Sequence, residues 1–179
     1  MAISAHIGSD LNSIMVVLQG LADNQYLQQG DLTSSRSKNM MEERYLEYHD
    51  IIDSIGVIDK NGIVAINLFT DNRTSLVGKD VSFTQYVKES KAKLAPLFSN
   101  GFQSVDDKYT IAITYPIINR DTDRYVGLVA AYLPTVDYFA HYGNVHDINS
   151  QFVVAYDKNA TLIAVGASQS LVGKPFLAM

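Results

Sequence analysis

Residues 55–68 read Ile-Gly-Val-Ile-Asp-Lys-Asn-Gly-Ile-Val-Ala-Ile-Asn-Leu, and this stretch decides the fold. Two short apolar runs, Ile55–Ile58 and Ile63–Leu68, flank the polar segment Asp59–Gly62. Asn-Gly between two such runs supplies the positive φ angles that a tight type I′ turn requires. The sequence therefore predicts a β-hairpin with that type of turn.

The same pattern returns near the end of the chain. Ala155–Thr161 reads Ala-Tyr-Asp-Lys-Asn-Ala-Thr where Val57–Ile63 reads Val-Ile-Asp-Lys-Asn-Gly-Ile. Ser-Leu-Val-Gly-Lys follows each copy, at Ser75–Lys79 and at Ser170–Lys174. Self-similarity at this spacing predicts two tandem modules rather than a solenoid. The second copy ends after its first hairpin, so it is either a truncated module, which we favour, or an appendage of the first.

Residues 3–50 are predicted to form a long helix. Apolar residues recur at alternating intervals of four and three in two seams, Ile7, Leu11, Ile14, Leu18 and Leu21, then Met41, Tyr45, Tyr48 and Ile52. The polar stretch Gln28–Asn39 between the seams predicts a break or kink. Such a stripe packs either on its own domain, which is the commoner case, or on the same helix of a second chain in a homodimer.

Strand and helix signals then alternate. Ser82 followed by Gln85 matches a capping box and predicts a short helix. Three strands are predicted next, at Leu97–Val105, Tyr109–Ile118 and Tyr125–Leu133, with a turn at Asp106-Asp107, and a last short helix at Thr135–Tyr142. Short turns favour antiparallel pairing. We expect an α+β fold with a five-stranded antiparallel sheet, divided as helix 1–52, first module 53–142 and partial second module 143–179.

Composition excludes several classes of function. The chain has 179 residues, a net charge of −5 and no cysteine. The acidic balance argues against nucleic-acid binding, and disulfides and thiolate zinc sites are excluded. His141 and His146 are five residues apart, which suits a solvated loop better than a metal site. We expect no metal, no cofactor and no catalytic motif, and we expect Asp50 and Asp53 to be surface residues at a helix end.

Four segments together resemble a known family. They are the hairpin turn Asp59–Gly62, the segment Val77–Ser82, the strand Ile113–Ile117 and the strand Gly127–Ala131. In this order they resemble the double Cache domain, a PAS-like extracytoplasmic sensor of prokaryotic histidine kinases and chemoreceptors. The resemblance implies a PAS-like sheet with flanking short helices, and a long first helix that rises from the membrane and carries a dimer contact.

The resemblance also implies a function. The chain would be the extracytoplasmic small-molecule sensor domain of a membrane-anchored signal-transduction receptor, and not itself an enzyme. We expect the parent to be a sensor histidine kinase of a two-component system, with a methyl-accepting chemoreceptor as the first alternative. A cytoplasmic PAS-type interaction module is a second alternative, and a small hydrolase on an α+β sheet is a third.

In the family the ligand pocket lies between the sheet and the short helix. Charged residues that often anchor ligands there are replaced in this sequence, by Thr84 in place of an arginine and by Ser104 and Tyr132 in place of aspartates. The remaining candidates are aromatic or carry a hydroxyl: Phe83, Thr84, Tyr86, Phe102, Ser104, Tyr115 and Tyr132. This lining suits a neutral or weakly polar ligand. The same residues would also suit a filled core with no ligand.

Overall fold

The computed structural model describes residues 3–143, 154–165 and 172–175. His146 and the Ser170-Leu171 part of the repeat lie outside the described residues. The helices are α1 (Ile3–Ala22), α2 (Gln25–Gln28), α3 (Ser35–Tyr48), α4 (Gln85–Lys93) and α5 (Thr135–Gly143). The strands are β1 (Ser54–Asp59), β2 (Val64–Phe69), β3 (Leu97–Phe98), β4 (Phe102–Gln103), β5 (Tyr109–Asn119), β6 (Arg124–Pro134), β7 (Val154–Tyr156) and β8 (Leu162–Val165).

The main sheet is antiparallel, with strand order β2-β1-β6-β5-β3. The short β4 also pairs with β5, next to β3 on the same edge. Leu97 is opposite Thr114, and Phe102 is opposite Thr110. The predicted strand Leu97–Val105 is therefore two short strands end to end, and the predicted α+β fold with a five-stranded sheet is confirmed. Strands β7 and β8 form a separate antiparallel pair.

The two faces of the sheet are covered differently. Alternate residues of β5 and β6 point to opposite faces. On one face Ile113 and Leu133 join a large core with α1, whose Ile14 and Leu18 are fully buried. Each of these side chains contributes about 2 kcal/mol through burial of apolar surface. On the other face a smaller core lies under α4, and this face holds the candidate site.

The predicted N-terminal helix is confirmed, but its break comes earlier than predicted. Helix α1 ends at Ala22, and α3 already begins at Ser35, inside the stretch expected to be broken. The hydroxyl of Ser34 accepts the backbone N–H of Ser37 and so caps α3. Serine at this position starts a helix by satisfying a free amide. The apolar stripe of α1 packs on its own sheet, while a homodimer contact through the exposed side of this helix stays a prediction.

The first hairpin forms as predicted, but with another turn. Gly62 has φ of +89°, whereas Asn61 is not in the left-handed region, and the Gly62 N–H donates to the Asp59 carbonyl at 3.0 Å. This is a type I turn followed by a left-handed glycine. The predicted type I′ turn is wrong because the Asp59 carboxylate accepts the N–H groups of Asn61 and Ile63, each at 2.8 Å, which fixes the turn locally.

The second hairpin repeats the first in backbone detail. The Gly78 N–H donates to the carbonyl of Val64, and the Gly173 N–H donates to the carbonyl of Leu162, at 2.8 Å and 2.7 Å. Both hairpins also carry a register shift at the same place, after Val57 in one and after Ala155 in the other. The repeat is thus visible in the structure as well as in the sequence.

The predicted capping box at Ser82 and Gln85 is wrong. Helix α4 begins at Gln85, after Thr84 at the N-cap. The Ser82 N–H donates to Asp80 Oδ1 at 2.8 Å, and the Gln85 amide donates to Glu89 at 3.0 Å. Ser82 and Gln85 therefore each bond another residue, and the helix starts two residues later than the pattern suggested. The predicted last helix is confirmed as α5.

Candidate functional site

A cavity of about 280 Å³ lies between the sheet and the segment that leads into α4. Its walls come from β1, β2, the segment 73–86, β4 and the ends of β5 and β6. These segments are far apart in sequence, and the sheet brings them together. The volume is near the lower end of the range for small-molecule sites, so the cavity suits a ligand of metabolite size.

Six of the seven predicted site residues line this cavity: Phe83, Thr84, Tyr86, Phe102, Ser104 and Tyr132. Tyr115 does not line the cavity, because it packs against the large core on the face of the sheet that α1 covers. It is two residues from Ile113 along β5 and therefore shares the face of that residue. Thr110, on the opposite face of β5, lines the cavity.

Three aromatic rings form one wall. The Tyr86 ring stacks on Phe102 with centroids 5.4 Å apart and meets the edge of Tyr132 at 6.0 Å. The phenolic oxygens of Tyr86 and Tyr132 are 3.2 Å apart. Burial raises the pKa of both tyrosines, so both hydroxyls stay protonated. In the hydrogen bond between them, one hydroxyl donates and the other accepts. The accepting hydroxyl still has its own hydrogen, which it can donate to a ligand atom.

A cluster of charged residues forms another wall. The Arg73 guanidinium donates to both oxygens of Asp53 at 2.6 Å and 2.9 Å, to both oxygens of Asp71 at 2.6 Å, and to Asp106 at 3.2 Å. Lys108 lies 3.4 Å from Asp53. All five N–H groups of Arg73 are therefore in use. The arginine holds the wall together and has no free fork for a ligand carboxylate.

Asp53 and Arg73 each stabilise the charged form of the other. Burial raises the pKa of Asp53, but the hydrogen bonds and charge of Arg73, helped by Lys108, outweigh burial and hold it below its ordinary value. Hydrogen bonds to Asp53 and Asp71 raise the pKa of Arg73. Both groups remain charged at neutral pH.

Sequence reasoning missed this cluster. Asp53 was expected to be exposed, but its side chain is only 17% exposed because it lies between the end of α3 and the cavity. Arg73 lies in the loop after β2, 20 residues from Asp53 along the chain. An arginine flanked by polar loop residues carries no signal for a buried partner. The one available hint was that Asp53 directly precedes the first strand.

Within residues 3–143, 154–165 and 172–175, no group of three or more acidic, histidine or cysteine side chains could hold a metal ion. In the same described ranges, no helix is both long enough and apolar enough to cross a bilayer.

Long helices on one face of an antiparallel sheet, with a ligand-sized cavity under a short helix on the other, define a sensor domain of PAS-like architecture. The pattern of the HK/GC/Chemotaxis protein-like sensor domain family matches residues 9–134, and the chain belongs to that family. No curated protein matches the sequence.

Several solved structures share the fold. An extracellular ligand-binding receptor from Desulfohalobium retbaense superposes with a TM-score of 0.84 at 18% identity, over 98% of this chain and 32% of the receptor. The amino-acid chemoreceptor PctC of Pseudomonas aeruginosa, in complex with GABA, gives 0.71 at 14% identity, over 98% and 76%. The sensor domain of the Vibrio cholerae histidine kinase DctB gives 0.69 at 14% identity, over 97% and 66%. The chain spans about a third of the length of the Desulfohalobium receptor.

Proposed function

We propose that this chain is the extracytoplasmic sensor domain of a membrane-anchored receptor and that it binds a small molecule in the cavity beside α4. The observation that carries the proposal is the cavity itself, where Tyr86, Tyr132 and the Asp53–Arg73 pair converge from four segments of the chain. A cavity with a few convergent polar groups in an otherwise apolar lining is the usual form of a ligand site. The family membership supports a sensing role.

The ligand we propose carries no net charge. Two acidic residues, Asp53 and Asp106, and two basic ones, Arg73 and Lys108, line the cavity, and they pair with one another. A ligand with a net charge would have to break one of these pairs or bring an unpaired charge into the site, which is costly. Neutral or weakly polar molecules meet this condition, and so do zwitterions such as amino acids and GABA.

For the parent protein we propose a sensor histidine kinase of a two-component system. The similarity to the DctB sensor domain supports this output, and the similarity to PctC supports a chemoreceptor as the second candidate. We also propose that residues 53–142 form the membrane-distal module and that residues 143–179 begin a second one. The sequence encoded on either side of this chain tests both points, since it should contain membrane-spanning helices, the rest of a second module and one of the two outputs.

The binding proposal is tested by thermal-shift measurements with the twenty amino acids, GABA and the amide of each, which keeps the ammonium group but lacks the carboxylate. A compound that binds only the folded state at 100 times its Kd stabilises it by about 2.7 kcal/mol. The shift in melting temperature should be lost in Tyr132→Phe and kept in Tyr115→Phe, because Tyr132 lines the cavity and Tyr115 does not. A shift that Tyr132→Phe leaves intact would place the ligand elsewhere. A flat result across the panel would show that the cavity binds none of these amino-acid-like compounds.

A further inference from the structure

The turn of the second hairpin contacts Gly101, the residue before the lining residue Phe102. Asp157 Oδ1 accepts the N–H groups of Asn159 and Thr161, each at 2.9 Å, and so closes its own turn. Its second oxygen, Oδ2, accepts the N–H of Gly101 at 3.2 Å. One carboxylate therefore shapes the β7–β8 turn and, at the same time, bonds a distant segment of the main sheet.

The first copy of the repeat lacks this second bond. Asp59 occupies the position that Asp157 holds in the second hairpin, and its Oδ1 makes the same two turn bonds. In the described part of the chain, the Asp59 side chain makes hydrogen bonds only within its own turn. The bond from Asp157 to Gly101 is thus an addition to the shared turn and is not needed to form it.

Gly101 lies beside the cavity wall, next in sequence to the lining residue Phe102. It directly precedes Phe102, which stacks on Tyr86. A Cβ at Gly101 would overlap the ring of Tyr109, so the backbone is held tightly against that ring. On the other side of the same ring, a Cβ at Gly173 would come within 3.3 Å of Tyr109. The Tyr109 ring is therefore enclosed between Gly101 and the segment that follows β8.

The residue after Asp157 contacts helix α4. The ammonium group of Lys158 lies 3.4 Å from Glu89 on α4, the helix that carries Tyr86. Glu89 is also bonded by Lys93 at 2.6 Å. The weaker Lys158 contact can therefore break and reform without leaving Glu89 unpaired. Two adjacent residues of one turn thus contact α4, which carries Tyr86, and Gly101, which directly precedes Phe102.

We propose that Asp157 is a positioning residue of the cavity, which holds Gly101 and hence Phe102 in place, and that the Asp157-Lys158 turn transmits changes in the cavity to the second hairpin. The transmission rests on the proposed function, since it gives the sensor a route out of its ligand site. The positioning does not, because it concerns the protein without ligand.

The experiment compares Asp157→Asn with Asp59→Asn. Asparagine keeps the oxygen that closes either turn, but at position 157 it places an NH₂ group opposite the Gly101 N–H. Amide hydrogen exchange, measured by NMR on the unliganded protein, should show about tenfold less protection of Gly101 in Asp157→Asn, because a charge-assisted hydrogen bond is lost. Asp59→Asn should leave Gly101 within about twofold of the wild type.

The transmission is tested by a change inside the cavity. Tyr132→Phe removes one hydroxyl there, and its amide chemical-shift changes should reach residues 155–162 in the wild-type background and disappear in the Asp157→Asn background. Lys158→Gln, which leaves the turn bonds intact, should reduce them. Unchanged protection of Gly101 would overturn the positioning role, and shift changes that persist without Asp157 would overturn the transmission. Neither readout uses a ligand, so failure of the proposed function would appear separately, as a flat thermal-shift panel.

Discussion

The hydroxyl groups of Tyr86 and Tyr132 lie 3.2 Å apart, although 46 residues separate them in the sequence. Tyr86 is on α4 and Tyr132 is near the end of β6, so this bond connects the short helix to the sheet within the aromatic wall of the cavity. Tyr86 is only 6% exposed. Its hydroxyl therefore depends on a protein or ligand partner, and the energetics of the pair can be measured without knowing the ligand.

We expect Tyr132→Phe to destabilise the unliganded protein by about 1 kcal/mol, because it leaves the buried Tyr86 hydroxyl without its partner. The double variant with Tyr86→Phe should lose less than the sum of the two single changes, since removing both partners leaves no unpaired group. Urea unfolding of the four proteins measures the coupling. Tyr115→Phe, on the opposite face, should change the free energy of unfolding by less than about 0.5 kcal/mol. Strict additivity would show that the two hydroxyls do not interact.

Arg73 should matter far more for stability than other arginines in ion pairs. Arg73→Gln leaves Asp53 with a side chain 17% exposed and no bidentate partner, and we expect a loss of about 2 kcal/mol. Arg44→Gln breaks the pair with Glu47, where both side chains are more than half exposed, and should cost less than about 0.5 kcal/mol. Chemical denaturation compares the two variants. Equal losses would mean that the Arg73 cluster contributes no more than a surface ion pair.

The decrease in the free energy of unfolding at acid pH should depend on Asp53 and Glu89. Hydrogen bonds from Lys93 and Gln85 lower the pKa of Glu89 to about 2, and Arg73 holds that of Asp53 below its ordinary value against the effect of burial. Because both folded-state pKa values lie below those of the unfolded chain, this stabilisation is complete above about pH 4.5 and is lost as the pH falls toward about 2. Urea midpoints measured across this range should fall less steeply in Glu89→Gln, which has one fewer group to protonate. A slope equal to that of the wild type would contradict this.

The fold could be predicted because its signals are local. The apolar stripe of α1 and the strand signals of β5 and β6 each depend on residues close in sequence, and the structure has these elements. The errors concern competition for hydrogen bonds. At Ser82 and at the Asp59 turn, an aspartate carboxylate accepts the amides that the pattern had assigned to another arrangement.

The site residues show the same difference between what local sequence signals indicate and what depends on the folded structure. The family pattern named Tyr86 and Phe102, which line the cavity, and also Tyr115, which does not because it lies on the same face of β5 as Ile113. The Arg73–Asp53 pair could not be found, since it depends on a loop conformation that only the folded sheet determines.

The repeat allows a prediction about backbone strain. Gly62→Ala should cost about 2 kcal/mol, because φ is +89° and the new Cβ would lie 2.6 Å from Ser82 Cα. Gly20→Ala, within α1 and with nothing within 4 Å, should instead stabilise by up to about 1 kcal/mol. Ala160 holds the position of Gly62 in the second hairpin at φ of 57°, so Ala160→Gly should increase the amide protection of β7–β8. Thermal unfolding and hydrogen exchange measure these effects, and a destabilising Ala160→Gly would show that the two turns differ.

A substitution at Phe83 should weaken ligand binding without changing the stability of the fold. It lines the cavity, yet its side chain is 71% exposed, so Phe83→Ser removes little buried surface and should leave the Tm of the unliganded protein unchanged within about 1 °C. An apolar ring at the mouth of a ligand site gains from contact with the bound molecule, since both lose exposed surface. The affinity for a compound identified in the thermal-shift panel should therefore fall about tenfold. The matched control is Val77→Ser, which changes an apolar residue 54% exposed and outside this cavity. Titration calorimetry measures both variants, and a similar loss in Val77→Ser would mean that the effect does not come from the cavity.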